Sequence, residues 1–248
     1  MAMETHHWIL LFLVVAATHL VGAVTLYGST LMALPLLLLF MGDLATAVAI
    51  LVTVGTVQAA HIFCYVYRDV DWHEFKRIMI FMGLGMPIGV LCVRYLPQAP
   101  LMIALGGLLI ASGVSRFVPL PTGRNFSLPA MVWRLVLLAA GAIHGAFSCG
   151  GTLLVVYVLH RFTRKEPFRA TLAAVWVVLG AVLLVTYLAL GSFTPRAVVI
   201  GLIVLPPVLL GNWLGQRVAA RLRQGVFVQI VALVLVMSGV ITVLRAVQ

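Results

Sequence analysis

HGAFSCGGTLLVVY, residues 144–157, interrupts a chain made mostly of Leu, Val, Ala and Ile. It sets His144, Ser148, Cys149, Gly150, Gly151 and Thr152 close together where lipid-facing side chains would be expected. GAVTLYGSTLMALP, residues 22–35, looks like a degraded copy, with Thr25, Tyr27, Gly28, Ser29 and Thr30 around the same turn. The apolar run after the second turn, 152–162, has eleven residues. At ~1.5 Å per residue that is about 16 Å of helix, against a hydrocarbon core of about 30 Å. It is too short to cross. The run 29–42, at fourteen residues, is also short. Each pair of segments therefore reads as a helical hairpin with its turn inside the bilayer, at Tyr27-Gly28-Ser29 and Cys149-Gly150-Gly151.

Composition sets the surroundings of these hairpins. The 248 residues are 63% hydrophobic and only 9% charged, with a mean hydropathy of +1.18. Soluble domains carry about 25% charged residues. The apolar runs follow one another closely over 1–248, so the chain reads as one all-α polytopic membrane domain. A β-barrel would alternate in polarity over runs of about ten residues, and these runs are continuously apolar. MAMETHHW has no Lys or Arg, so it lacks the basic start of a signal peptide, and the first apolar segment is expected to stay. Cys64, Cys92 and Cys149 are isolated, without metal-ligand or redox spacing; Cys64 and Cys92 read as small packing residues, and Cys149, in the place of Tyr27 in the other half, as a donor at the site. The net charge of +10 sits at segment ends, which marks topology rather than nucleic-acid binding.

Apolar segments fall near 8–27, 29–42, 44–67, 76–95 and 100–118, then near 131–149, 151–161, 170–191, 196–217 and 226–246. A polar linker, 115–129, divides them, giving a first repeat over 8–118 and a second over 131–246. At an offset of 126, Gly85 and Gly89 fall on Gly211 and Gly215, and Ser112-Gly113-Val114 on Ser238-Gly239-Val240. At an offset of 122, Gly28, Thr30 and Leu31 fall on Gly150, Thr152 and Leu153.

Basic residues orient the halves. After the second segment the counts are zero against four, after the third three against one, and after the fourth one against three. The bias flips at every equivalent loop, as inverted repeats should show under the positive-inside rule. With the linker cytoplasmic, 13 basic residues lie inside and three (Arg94, Arg196, Arg245) outside. Both termini then lie outside the cytoplasm of a cell inner (plasma) membrane. Each half becomes a re-entrant-type hairpin plus three transmembrane helices.

At each turn a helix begins, exposing unpaired N–H groups and roughly half a positive charge. Two such starts converging from opposite sides make an anion site without a fixed cation. Ser29, Thr30 and Thr152 add hydroxyls, and Gly150-Gly151 allows a close backbone approach. All six acidic residues lie at or near segment ends, whereas a cation pump usually keeps a carboxylate at mid-depth. The pairs Gly85/Gly89, Gly141/Gly145 and Gly211/Gly215 read as helix-packing positions. His19, His61 and His144 are the ionisable groups expected at mid-depth besides the cysteines. His19 and His61 read as packing residues, and His144, beside the tip, as a contact for substrate or carrier of a coupling proton. Thr53, Gln58, Trp176 and Asn212 are further polar or aromatic candidates for a cavity wall. The expected partners are a small anion and the bilayer, with no cofactor and no metal site. The competing reading is a cation or metal transporter built on the three histidines.

These stretches resemble the TauE/SafE (sulfite exporter) family of membrane permeases over about 15–245. The likeness rests on the two glycine-bearing motifs at 22–35 and 144–157, ATAVAI at 45–50 and FRATLAA at 168–174. The loop YVYRDVDWHEFKR at 65–77, the glycine pairs and the two SGV endings complete it. The resemblance implies a permease for sulfite, sulfoacetate or related sulfur-containing anions. The chain departs from the family pattern at Tyr-Gly-Ser, 27–29, where several glycines are usual.

Overall fold

The computed structural model describes residues 5–25, 29–41, 43–115, 129–162, 164–191, 193–219 and 224–247. Among them are eleven α-helices and no strand. The first half holds α1 (Thr5–Thr25), α2 (Ser29–Met41), α3 (Leu44–Val66), α4 (Trp72–Tyr95) and α5 (Gln98–Val114). The second holds α6 (Ala130–Phe147), α7 (Gly151–Arg161), α8 (Lys165–Ala189), α9 (Pro195–Ile203), α10 (Leu205–Ala219) and α11 (Gln224–Val247). Four helices are long and apolar enough to cross a membrane: Leu44–Asp69 with its terminal 3₁₀ turn, Trp72–Tyr95, Ala130–Phe147 and Glu166–Ala189. The chain is an all-α, multi-pass membrane protein. The central linker, 116–128, lies outside the described residues, as do Tyr27 and Gly28.

Polar residues at the segment ends start the helices. Asp43 accepts from Thr46 N at 2.9 Å to cap α3, and Asp71 accepts from His73 N and Glu74 N at 3.0 Å to cap α4. Thr194 caps α9, with Pro195 in its first turn. One expected element is divided. The apolar run 196–217 is two helices, with Val204 between them. Pro206 and Pro207 explain the break: neither has an N–H to continue the ladder, and each ring would crowd the carbonyl four residues back. Both are acceptable in the first turn of a new helix, which is where α10 begins.

The most extensive helix contacts join α4 to α6, α5 to α11, α1 to α10, and α3 to α8. Exchanging the halves maps this set onto itself. α4 with α6 becomes α10 with α1, and the other two pairs map onto themselves. The glycines repeat the exchange atom by atom. A Cβ on Gly85 would lie 2.0 Å from Leu138 O, and one on Gly211 would lie 3.0 Å from Ala16 O. Gly211 is 126 residues after Gly85, and Leu138 is 122 after Ala16, the two offsets seen in the sequence. Likewise a Cβ on Gly113 would lie 2.8 Å from Ala232 O, and one on Gly239 2.7 Å from Gly106 O.

Such seams are what lipid favours. Tails are as apolar as Leu, so helices gain little from hydrophobicity and more from backbones that approach closely. Gly85, Gly89, Gly141 and Gly145 all do so at the α4–α6 crossing, where each added Cβ would meet a backbone carbonyl at 2.2 Å or less. The side chains around Gly215 lie outside the description.

Candidate anion site between two helix breaks

The second hairpin is visible in its ring contacts. Trp133, near the start of α6, stacks on His160, near the end of α7, with centroids 4.8 Å apart. Trp133 also meets the Tyr157 ring edge-on at 5.6 Å. The two helices therefore run back alongside each other from a turn at 148–150. Ser148 makes that turn with φ 56°, the only non-Gly residue with positive φ among those described. Its N–H donates to His144 O at 2.8 Å.

A helix end in a bilayer leaves carbonyls that need partners. Tyr187 of α8 donates its hydroxyl to Gly145 O at 2.8 Å. The Cys149 thiol donates to Phe147 O at 3.1 Å, and the Thr152 hydroxyl to Cys149 O at 3.3 Å. Gly150 is glycine for packing: a Cβ there would lie 2.4 Å from Ala140 O and 2.7 Å from His144 Cβ. No side chain caps α7. The N–H groups of its first turn, Gly151 and Thr152 among them, thus lack intrahelical acceptors.

A cavity of about 90 Å³ lies between the two hairpins. α2 contributes Ser29 and Thr30 from its first turn. The other hairpin contributes His144, Ser148, Cys149, Gly151 and Thr152. These seven expected residues meet, although they come from opposite halves of the chain. Gly150 does not line the cavity but lies behind it. Thr25 ends α1, and its side chain is outside the description. Tyr27 and Gly28 are outside it altogether.

The remaining wall comes from α3 and α8. Gln58 and Thr56 lie on α3, and Trp176 and Gly180 on α8. A Cβ on Gly180 would lie 2.2 Å from Thr56 Oγ1, so the two helices touch beside the cavity. Of the further candidates, Gln58 and Trp176 belong to the wall. Thr53 does not: it packs against Gly201 of α9, and its hydroxyl donates to Ala49 O at 2.8 Å. The side chain of Asn212 is outside the description. Thr56 and Gly180 had no distinguishing signal, since a Thr or Gly in an apolar helix is common.

Two polar groups on this wall are buried without a protein partner. Gln58 is 7% exposed and His144 4%; Gln58 Nε2 and both ring nitrogens of His144 make no hydrogen bond. The indole of Trp176 lies against the His144 ring, centroids 5.2 Å apart. Among the described residues no Asp, Glu, Lys or Arg belongs to the lining. Buried polar groups normally find partners, so these open positions are where a polar guest or water would bind.

One expectation about ionisable groups is corrected, and one acidic residue at a segment end proves to be buried. His61 is exposed, because α3 ends at Val66 and His61 falls in its last turns, edge-on to Tyr65. Glu74, although only in the first turn of α4, is 8% exposed. Its carboxylate accepts from Arg77 Nη1 at 2.8 Å and from the Tyr157 hydroxyl, with Arg161 Nε at 3.8 Å. His19 is fully buried and donates from Nδ1 to Val15 O at 2.8 Å, the packing role expected of it.

The Glu74 cluster ties α4 of the first half to α7 of the second. Its removal strands two arginines, and loss of one partner from a buried pair costs about 3–5 kcal/mol. Both arginine side chains are more than a third exposed, which places Glu74→Ala lower, at about 2 kcal/mol. Thermal unfolding in detergent should show the drop. An unchanged midpoint would mean that the cluster holds nothing together.

Helices broken in pairs around a small cavity whose described lining carries no charge, in a chain built to span a membrane, fit a transporter-class membrane protein. Residues 10–242 match the family described as Sulfite exporter TauE/SafE, and the chain belongs to that family. The family is one of membrane transporters for sulfur anions such as sulfite. No curated protein and no solved structure matches the chain.

Proposed function

We propose that this protein carries a small sulfur-containing anion, sulfite or a close relative, across the cell membrane by alternating access, and that the anion sits between the two helix starts. One observation carries the reading: Gln58 and His144, whose side-chain nitrogens find no protein partner, belong to the wall of a cavity that both hairpins line, with no charged side chain in that wall among the described residues. The first-turn N–H groups of α2 and α7 supply further donors. Each hydrogen bond to a charged ligand contributes about 1.5–3 kcal/mol net. A few such donors hold a dehydrated anion, and the absence of an arginine clamp favours its release.

The helix pairing supports the mode of movement. Each hairpin packs on the fourth segment of the other half, α1 on α10 and α6 on α4. The cavity lies where α3 meets α8, between these two groups. Sliding one of these groups, each built from both repeats, against the other along that seam would open the cavity to alternate sides. The distribution of basic residues among the loops supports an orientation with both termini outside.

The test is thermal stabilisation of the purified protein by sulfite, sulfoacetate, sulfate, thiosulfate and chloride, with Zn²⁺ and Na⁺ as controls. A bound ligand stabilises by about 2.7 kcal/mol at a hundredfold excess over Kd. A shift with a sulfur anion, lost in Gln58→Leu, is the expected result. A shift with cations alone would overturn the reading and return attention to the histidines, although no three His, Cys, Asp or Glu among the described residues gather as a metal set.

A further inference from the structure

We infer that Arg169 of α8 is the capture point of the transported anion: it stands one helical turn outside the cavity, at its basic end, and draws the anion to the mouth without holding it in the site. The inference rests on the cavity carrying an anion, and it adds the step by which that anion arrives.

Helical spacing places the residue. Ala173, Trp176 and Gly180 of α8 line the cavity. Arg169 precedes Ala173 by four residues and Trp176 by seven, so all four share one face of the helix. At ~1.5 Å per residue it lies about 6 Å beyond Ala173 along the axis, toward the end of the molecule that carries Arg161 and Arg164. The lining extends in the same direction along α3, as far as Ile62, four residues before that helix ends at Val66. Beyond the cavity in the other direction the helices are packed together. The same face of α8 continues to Tyr187, whose hydroxyl donates to Gly145 O and whose ring stacks on Phe193 with centroids 4.4 Å apart. There a Cβ on Gly201 of α9 would lie 2.8 Å from Thr53 Cβ of α3. The approach to the site is therefore from the basic end, past Arg169.

Arg169 also has an uncompensated charge. It is partly buried, its Nε is enclosed without a hydrogen-bond partner, and no carboxylate among the described residues pairs with it. Nearby acids are engaged elsewhere: Glu166 with Arg164 at 3.5 Å, and Glu74 with Arg77 and Arg161. Buried polar groups normally find partners. A charge left unneutralised between low-dielectric walls focuses its field along the cleft and raises the arrival rate of ions of opposite sign. The helix start does not itself require a cation. Aligning Ala45-Thr46 with Ala170-Thr171 sets Leu44 of the other half against Arg169, and Leu44 is buried.

The position suits a carrier. Inside the cavity, a bidentate guanidinium would grip an oxyanion and slow its release. One turn out, it speeds entry and leaves the exchange between the tips to neutral donors.

The test uses a reporter thiol at the mouth, Ile62→Cys, in the full chain with Cys64, Cys92 and Cys149 replaced by alanine. Its labelling by the anionic sulfonatoethyl methanethiosulfonate is compared with labelling by the cationic trimethylammonium analogue. The ratio of anionic to cationic rates should fall about tenfold in Arg169→Gln and hold in Arg169→Lys. Sulfite uptake into proteoliposomes, with the native cysteines in place, should follow it. In Arg169→Gln, KM should rise about tenfold while kcat changes by less than about twofold, and added neutral salt should move wild type toward the variant. A purely structural role would instead lower kcat in the lysine and glutamine variants alike, and would overturn the inference. An unchanged labelling ratio or an unchanged KM would overturn it as well. Wild-type protein that shows the anionic labelling preference but carries no sulfite would sink the transport reading, and the inference with it.

Discussion

Gly151→Leu is expected to abolish transport while the protein still inserts and purifies as wild type does. Gly151 opens α7 and lines a cavity of about 90 Å³. A leucine side chain there takes up space in which the guest would sit and covers the N–H groups of the helix start. Uptake of labelled sulfite into proteoliposomes should fall at least ~100-fold, the scale of losing several charge-assisted hydrogen bonds together. Gly150→Leu should behave differently. Its Cβ would meet Ala140 O at 2.4 Å, so the end of α6 must move and stability falls as well. Two adjacent glycines are thus separated by which property each variant loses. Wild-type uptake by Gly151→Leu would count decisively against the site.

Gly89→Leu is expected to prevent recovery of folded protein. A Cβ at this position would lie 1.9 Å from Ala142 O and 2.6 Å from Ala146 N, both backbone atoms that no rotamer change can move. α4 and α6 would have to separate along the whole crossing, and overpacking of this kind costs several kcal/mol when backbone must shift. Gly83→Leu on the same helix is the control, since nothing lies within 4 Å of its Cβ. It should change stability by no more than about 0.5 kcal/mol. Size-exclusion profile and unfolding midpoint in detergent distinguish the two. Equal behaviour would mean that α4 and α6 do not cross here.

Much of this architecture was legible because the bilayer restricts what a sequence can do. Eleven residues do not span it, so α7 had to be one arm of a hairpin. Gly150 and Gly151 next to Thr152 marked the break between helices, and the glycine spacing in α4 and α6 marked a close crossing. The division of α9 from α10 was readable from Pro206-Pro207, but high hydropathy on both sides masked it. The burial of Glu74 was not legible, because a glutamate in the first turn of a helix is ordinarily a solvated end charge. Only the fold brings Tyr157 and Arg161, more than eighty residues later, against it.

The sequence alone determined the helical membrane class and the break between α6 and α7, because length, hydropathy and backbone chemistry are local properties. It also held the two offsets at which the helix contacts recur. The tertiary structure alone decided what stands between the tips. α3 and α8 meet there, and they set Gln58 and Trp176 beside His144. It likewise decided that Gly150 packs while Gly151 faces the cavity. Neighbours in sequence share composition and helix geometry, but the direction each faces depends on which distant helix lies against it.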